Sequence, residues 1–119
     1  VKIYFSGDSG YGMHLKKIGE EHGPFDISLI DCGQYNLAWK YSHMFPEQAV
    51  TAAIDLKSKY FIPIHWGGFI LALHPWDEPV KESKKLAKEK GLTCLTPKIG
   101  EILSKSTLNK QFPLWWDKY

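Results

Sequence analysis

The sequence predicts an α/β fold, in which a layered sheet is built from strands that alternate with helices along the chain. Three observations predict it. Short apolar runs end in glycine-containing turns, stretches with helical periodicity follow these runs, and the alternation continues through most of the 119 residues. This length is sufficient for one domain with a sizeable hydrophobic core.

The composition limits the class of protein. Hydrophobic residues make up 44% and aromatic residues 14% of the chain, which is typical of a packed globular domain. The formal net charge is only +2, and all basic residues are lysines, so we expect no nucleic-acid partner. No apolar run approaches the roughly 18 residues of a membrane span. We therefore expect no transmembrane segment and a cytoplasmic location, with peripheral attachment to a membrane left open.

The first third of the chain predicts a strand, a helix and a second strand. The strand covers residues 1–6, with the odd-numbered residues facing the core because they are the apolar ones. The helix runs from about residue 13 to 21 and ends before Gly23 and Pro24. A short buried strand follows at residues 26–32.

The rest of the chain predicts a long aromatic loop, two helices and three strands. The loop covers residues 34–45, and Pro46 begins the next helix. Residues 60–64 form a strand in which Pro63 indicates a sheet edge or a bulge. A helix from Pro79 to about residue 90 precedes two short strands at 92–95 and 98–103. We divide the chain into residues 1–104 and an aromatic tail at 105–119, which we expect to fold back on the sheet.

Two strand ends carry side chains that can bind a metal ion. Asp8 follows the first strand in a turn between two glycines, and His65 ends the strand at 60–64 just before Gly67 and Gly68. The carboxyl ends of parallel strands lie at one edge of a sheet, where ligands bind in α/β proteins. Each residue also has an ordinary explanation, a plain turn for Asp8 and a half-buried imidazole for His65.

The aromatic loop supplies further candidates. His43 could protonate a leaving group or bind a phosphate oxygen, or it could be a solvent-facing loop residue. Tyr35, Trp39 and Tyr41 could line an apolar substrate pocket, and we expect at least one of them only to pack in the core. The sequence contains no HxH, HExxH, P-loop or cysteine-cluster motif, so Asp8 and His65 alone make an incomplete metal site.

Several segments together, in order, resemble the metallo-β-lactamase superfamily, and within it the branch of N-acylphosphatidylethanolamine-hydrolysing phospholipase D. The resemblance covers roughly residues 3–103. The segments that carry it are Ile3–Tyr11, Ile18–Gly19, Gly23–Asp26, Gly33–Tyr35, Trp39, His43–Val50, Ile64–Phe69, Glu78–Pro79 and Gly100–Glu101.

The resemblance implies an αββα sandwich with two zinc ions between its halves. Asp8 matches the carboxylate that bridges the zinc ions, His65 matches a histidine ligand of one of them, and His43 matches a group beside the metals. The HxHxDH motif of the superfamily precedes the turn that contains Asp8. We therefore expect residues 1–104 to be the C-terminal half of the domain, with a mixed sheet and helices on one face, and with an N-terminal half as a partner.

The resemblance predicts part of a zinc-dependent hydrolase, a phosphodiesterase of the phospholipase D kind, in which a metal-bound hydroxide attacks a small-molecule or lipid phosphodiester. The isolated chain would then be inactive. Two alternatives stay open: a lactonase or other ester hydrolase on the same scaffold, or a non-catalytic half that forms a homodimer or binds a partner through the apolar face left uncovered.

Overall fold

The computed structural model describes residues 1–119, and its core is a four-stranded sheet in the order β1-β2-β3-β4. All three pairings between neighbouring strands are parallel, so the mixed sheet that we predicted is not seen within this chain. Three helices connect the strands, as expected for an α/β fold. The strands are β1 (Ile3–Phe5), β2 (Ile27–Asp31), β3 (Tyr60–Ile64) and β4 (Thr93–Cys94); the helices are α1 (Met13–His22), α2 (Pro46–Asp55) and α3 (Glu78–Glu89).

One face of the sheet is covered by the three helices, as predicted. Leu15 of α1 and Ala87 of α3 are fully buried together with Ile30 and Phe61 of the sheet. Helix α2 packs through the small residues of its inner side, which let the helix lie close to the strands. The buried residues of α2 are Pro46, Ala49, Val50, Ala52 and Ala53.

The opposite face is covered only in part. Phe112, from the C-terminal segment, packs there against Ile27 and Ile62. On the edge strand β1, Ile3 and Phe5 remain 57% and 66% exposed. The prediction that the odd-numbered residues of β1 face the core is therefore wrong. The even-numbered Tyr4 packs on the face that the helices cover. The prediction failed because alternation in the sequence gives the period of a strand but not which of its two faces the helices cover.

Two details near the C-terminal end of the sheet differ from prediction. Residues 98–103 form no strand: Glu101 N donates to Lys98 O, and Glu101 Oε2 accepts from Lys98 N, so these backbone groups are satisfied within a turn.

Strand β3 is an inner strand despite Pro63. Its pairing with β4 ends at Phe61, however, so Pro63 lies where that neighbour is already absent.

The aromatic tail folds back on the chain, as predicted. A short 3₁₀ helix (Trp115–Lys118) places Trp115 and Trp116 in a buried cluster with Val80 of α3. Trp66, the residue after His65, stacks on Trp115 with ring centroids 5.3 Å apart. The tail therefore packs against the loop that follows β3. No helix in the structure has the length and apolar character needed to cross a membrane.

Candidate metal centre

Four side chains meet at the carboxyl edge of the sheet. Asp8 follows β1, Asp31 is the last residue of β2, His65 follows β3, and His43 lies in the loop between β2 and α2. Each offers one ligand atom, and these four atoms all lie within 4.8 Å of one another. The parallel sheet thus brings together Asp8, His65 and His43, which we selected from the sequence, and adds Asp31.

Asp31 is the residue that the sequence analysis missed. Its side chain is fully buried, and its Oδ2 accepts hydrogen bonds from Ser9 N (3.1 Å) and lies 2.8 Å from His43 Nδ1. Its Oδ1 accepts from Gly33 N at 3.3 Å. The available signal was a carboxylate that ends a mostly apolar strand, since such a group needs partners when it is buried. Asp31 therefore connects the turn after β1, the turn after β2 and the aromatic loop.

His65 is held in an uncommon backbone conformation. Its φ of +68° is in the left-handed region, which a non-glycine residue adopts at a cost of about 1–3 kcal/mol. Its Nδ1 lies 3.5 Å from Asp31 Oδ1 and 3.9 Å from Asp8 Oδ1. Such strain is concentrated at functional sites, because the surrounding structure has to impose it.

Asp8 is the most accessible member of the cluster, with 70% of its side chain exposed. The turn that carries it is fixed on both sides. Ser9 N donates to Asp31, and Gly10 N donates to Tyr41 O in the aromatic loop at 3.0 Å. Asp8 is therefore presented at the surface by an anchored turn, which suits a ligand that an incoming ion or substrate must reach.

The three aromatic residues predicted to line a pocket lie in different environments. Tyr35 is buried, stacks on His74 with ring centroids 4.1 Å apart, and donates its hydroxyl hydrogen to Glu78. Burial, followed by this hydrogen bond, raises the pKa of Tyr35, so its hydroxyl stays protonated. Tyr35 also lines a cavity of about 560 Å³ next to Phe45.

Trp39 and Tyr41 do not line this cavity. Trp39 lies beside His43, edge to face, with ring centroids 6.4 Å apart. Tyr41 is 83% exposed. Of the three, only Trp39 contacts a member of the four-residue cluster through its ring, so the structure does not gather them into one pocket.

The loop after His65 is fixed by Gln34, another residue that the sequence analysis did not select. Gln34 is buried, donates to Phe69 O at 2.6 Å, and accepts from Leu71 N and Ala72 N at 2.9 and 3.0 Å. These bonds hold the backbone while the side chains of Phe69 and Leu71 stay exposed. The position of the segment after His65 is thereby coupled to the turn after β2.

The cluster fits a divalent metal in its chemistry. Two carboxylates and two imidazoles are the oxygen and nitrogen donors that zinc, manganese and iron accept. The side chains of Asp31 and His43 already form a hydrogen bond with each other. Asp8 and His65 are therefore the two members whose metal-ligating atoms have no hydrogen-bond partner. A catalytic zinc site has three protein ligands, so Asp8 and His65 need at least one further ligand from the cluster or from outside this chain.

Comparison with known proteins identifies the family. Residues 1–66 match the family model described as "Beta-lactamase superfamily domain". This is more than half of the chain, and the chain belongs to this family, as the metallo-β-lactamase resemblance predicted.

The relatives extend the similarity over the rest of the chain. An uncharacterized protein of Mycobacterium tuberculosis is 41% identical over 118 residues, which is 97% of this chain and 32% of that protein. The N-acyl-phosphatidylethanolamine-hydrolyzing phospholipase D 1 of Caenorhabditis elegans is 36% identical over 109 residues, covering 85% of this chain and 31% of that protein. The chain thus spans about a third of the length of these relatives.

A solved structure supports the fold. The metallo hydrolase of the archaeon Ignicoccus hospitalis superimposes with a TM-score of 0.61 at 22% identity. The match covers 82% of this chain and 39% of the archaeal one. Together with the family match over residues 1–66, this confirms the metallo-β-lactamase type of fold for this chain.

Proposed function

We propose that this chain is the part of a zinc-dependent hydrolase that supplies Asp8 and His65 to a two-metal site, and that the enzyme cleaves phosphodiesters of lipids. The observation that carries the proposal is the group of four ligand atoms within 4.8 Å at the sheet edge. The similarity to the phospholipase D of C. elegans supports the substrate class.

The roles follow from the environment of each residue. Asp8 is exposed at the tip of its turn and has two carboxylate oxygens, so it can bridge two ions, whereas His65 can ligate one. When bound, the metal pair supplies an activated hydroxide and polarises the scissile phosphoester. His43 is 15% exposed beside these ligands and acts on the leaving-group oxygen or on a phosphate oxygen. Trp39, next to His43, contacts the apolar part of the substrate.

The remaining ligands come from outside this chain under this proposal, either from another part of the same protein or from a second polypeptide. A two-metal site would need more protein ligands than Asp8 and His65 provide. We therefore expect residues 1–119 alone to bind zinc weakly and to be inactive.

The test is a substrate panel assayed with the zinc-loaded full-length protein. The panel contains N-acylphosphatidylethanolamine in mixed micelles, a chromogenic phosphodiester, a lactone and a carboxylic ester. Hydrolysis of the first two, lost on chelation and restored by zinc, is expected. If only the lactone or the carboxylic ester is hydrolysed, the proposed phosphodiesterase activity is wrong, and the protein is a lactonase or other ester hydrolase on the same scaffold.

One observation favours a second candidate, a non-catalytic module that associates through the open face of β1. Ile3 and Phe5 place two large apolar side chains there, and apolar surface of this kind marks interfaces. In this case the 119-residue chain sediments as a dimer, and Phe5→Lys converts it to a monomer. Ile54→Lys is the control, because Ile54 is an exposed isoleucine of α2, the helix that covers the other face of the sheet.

A further inference from the structure

We propose that Asp31 is a positioning residue, which holds the neutral imidazole of His43 in the tautomer that carries its proton on Nδ1. This leaves Nε2 of His43 as a hydrogen-bond acceptor. The inference rests on the proposed function, in which His43 acts at the reacting phosphoester. Asp31 then determines which nitrogen of His43 exchanges a proton there, namely Nε2.

The hydrogen bonds of Asp31 determine the direction of the contact with His43. Asp31 Oδ2 accepts from Ser9 N, and Oδ1 accepts from Gly33 N. A carboxylate that receives backbone N–H groups on both oxygens is an acceptor on both. The 2.8 Å contact between Oδ2 and His43 Nδ1 therefore requires the hydrogen on Nδ1.

The charge balance of the site supports this pairing. Asp31 is fully buried, and a buried carboxylate is tolerated only where it is hydrogen-bonded or paired. No lysine forms an ion pair with it; its partners of that kind are the imidazoles of His43 and His65. The contact to His43 is shorter than that to His65, at 2.8 Å against 3.5 Å. The hydrogen-bond partner of Asp31 among the two imidazoles is therefore His43.

The consequence for the reaction concerns one proton. Nε2 of neutral His43 takes up, by way of solvent, the proton that water releases when the hydroxide nucleophile forms. The Asp31 carboxylate stabilises the resulting imidazolium. As hydroxide forms the new P–O bond and the old P–O bond breaks, Nε2 gives this proton to the leaving oxygen, so that water and a phosphodiester become a phosphomonoester and an alcohol. A neutral imidazole with its proton on Nε2 has no acceptor there and cannot begin this sequence.

The direct test is the tautomer, which nitrogen-15 NMR of histidine side chains reads without any catalysis. The full-length protein is labelled at histidine, freed of metal, and recorded at about pH 9, where an ordinary imidazole is neutral. His43→Gln identifies the resonances of His43. We expect a protonated Nδ1 and an unprotonated Nε2; a protonated Nε2 in the unmodified protein would overturn the proposal.

Two variants test whether Asp31 is the cause. Asp31→Ala removes the acceptor, and the fraction of His43 protonated on Nδ1 is expected to fall; an unchanged fraction contradicts the proposal. Asp26→Ala is the matched control, because the Asp26 carboxylate accepts from Lys2 N and contacts no imidazole. If Asp31→Ala does not fold, the spectrum of the unmodified protein still decides.

A kinetic arm separates positioning from metal binding. In the zinc-loaded enzyme, Asp31→Asn should lower kcat by about 10- to 100-fold with unchanged zinc content, which is typical for a group that orients a functional histidine. Loss of zinc in step with activity would instead make Asp31 a ligand and overturn the proposal. If the unmodified enzyme hydrolyses no phosphodiester, the proposed function fails, while the tautomer measurement stands on its own.

Discussion

A β-carbon added to Gly33 would lie 1.9 Å from the backbone carbonyl oxygen of His65. The two strand ends approach this closely because Cys32 N donates to Ile64 O at 3.0 Å, just before the chain of β3 turns at His65. No residue with a side chain fits at position 33 without moving His65. The position of a candidate metal ligand is thus set by a glycine in the turn that follows the neighbouring strand.

Gly33→Ala should therefore weaken metal binding. The methyl group must push the His65 carbonyl away, which costs about 1–3 kcal/mol of stability and displaces the imidazole. We expect zinc affinity to fall about tenfold or more, measured by competition with a chromophoric chelator. Gly68→Ala is the control, because a β-carbon there would meet no atom within 4 Å. Equal zinc affinities of the two variants would contradict the geometric argument.

Removal of either proposed ligand should release metal from the full-length protein. Asp8→Ala removes the carboxylate that we propose as a bridge and His65→Ala removes an imidazole, so the zinc content after desalting should fall by at least half in each. Elemental analysis gives the stoichiometry. His22→Ala serves as the histidine control because its side chain is exposed at the end of α1. If both variants retain zinc, Asp8 and His65 are not ligands of the metal.

The buried thiols predict a loss of stability at alkaline pH. Burial raises the pKa of Cys32 and of Cys94 from 9.0 to about 12. Above pH 9 the thiols of the unfolded chain release protons that the folded chain retains, so the contribution of the thiols to stability is constant below pH 9 and falls as the pH rises towards 12. The limit is about 1.4 kcal/mol per pH unit for each thiol.

Urea unfolding at a series of pH values measures this effect. Cys94→Ala should be less sensitive to pH between 9 and 12 than the unmodified protein, because one of the two buried thiols is then absent. Cys32 and the tyrosines with a raised pKa, Tyr35 among them, still contribute. A stability that does not change over this interval would show that the thiols ionise equally in both states. Alkylation by iodoacetamide should likewise be slow in the folded protein and fast in urea.

The aromatic tail should contribute to stability through Trp116. This side chain is 2% exposed in the cluster with Val80, so Trp116→Ala should destabilise the fold by about 3–5 kcal/mol. Tyr119→Ala, three residues later, removes a ring that is 79% exposed and should cost less than about 0.5 kcal/mol. Thermal unfolding compares the two. Equal losses would mean that the tail does not pack as described.

Local patterns in the sequence predicted the order of the elements well. Helix α1 begins at Met13 and ends just before Gly23, and α2 begins at Pro46, because capping and periodicity are properties of short segments. The errors concern partners. The inward face of β1 and the strand expected at residues 98–103 both depend on which neighbouring element is present to receive them.

The sequence by itself determined the fold class, the family and two strand ends with metal-binding side chains, Asp8 and His65, since strand and turn signals are local. Only the tertiary structure decided that Asp31 joins them. In the sequence, a carboxylate at the end of β2 indicates only a group that needs partners if it is buried. It becomes the centre of the site because parallel pairing places the ends of β1, β2 and β3 side by side. Once buried there, it has to be satisfied by Ser9, Gly33 and His43.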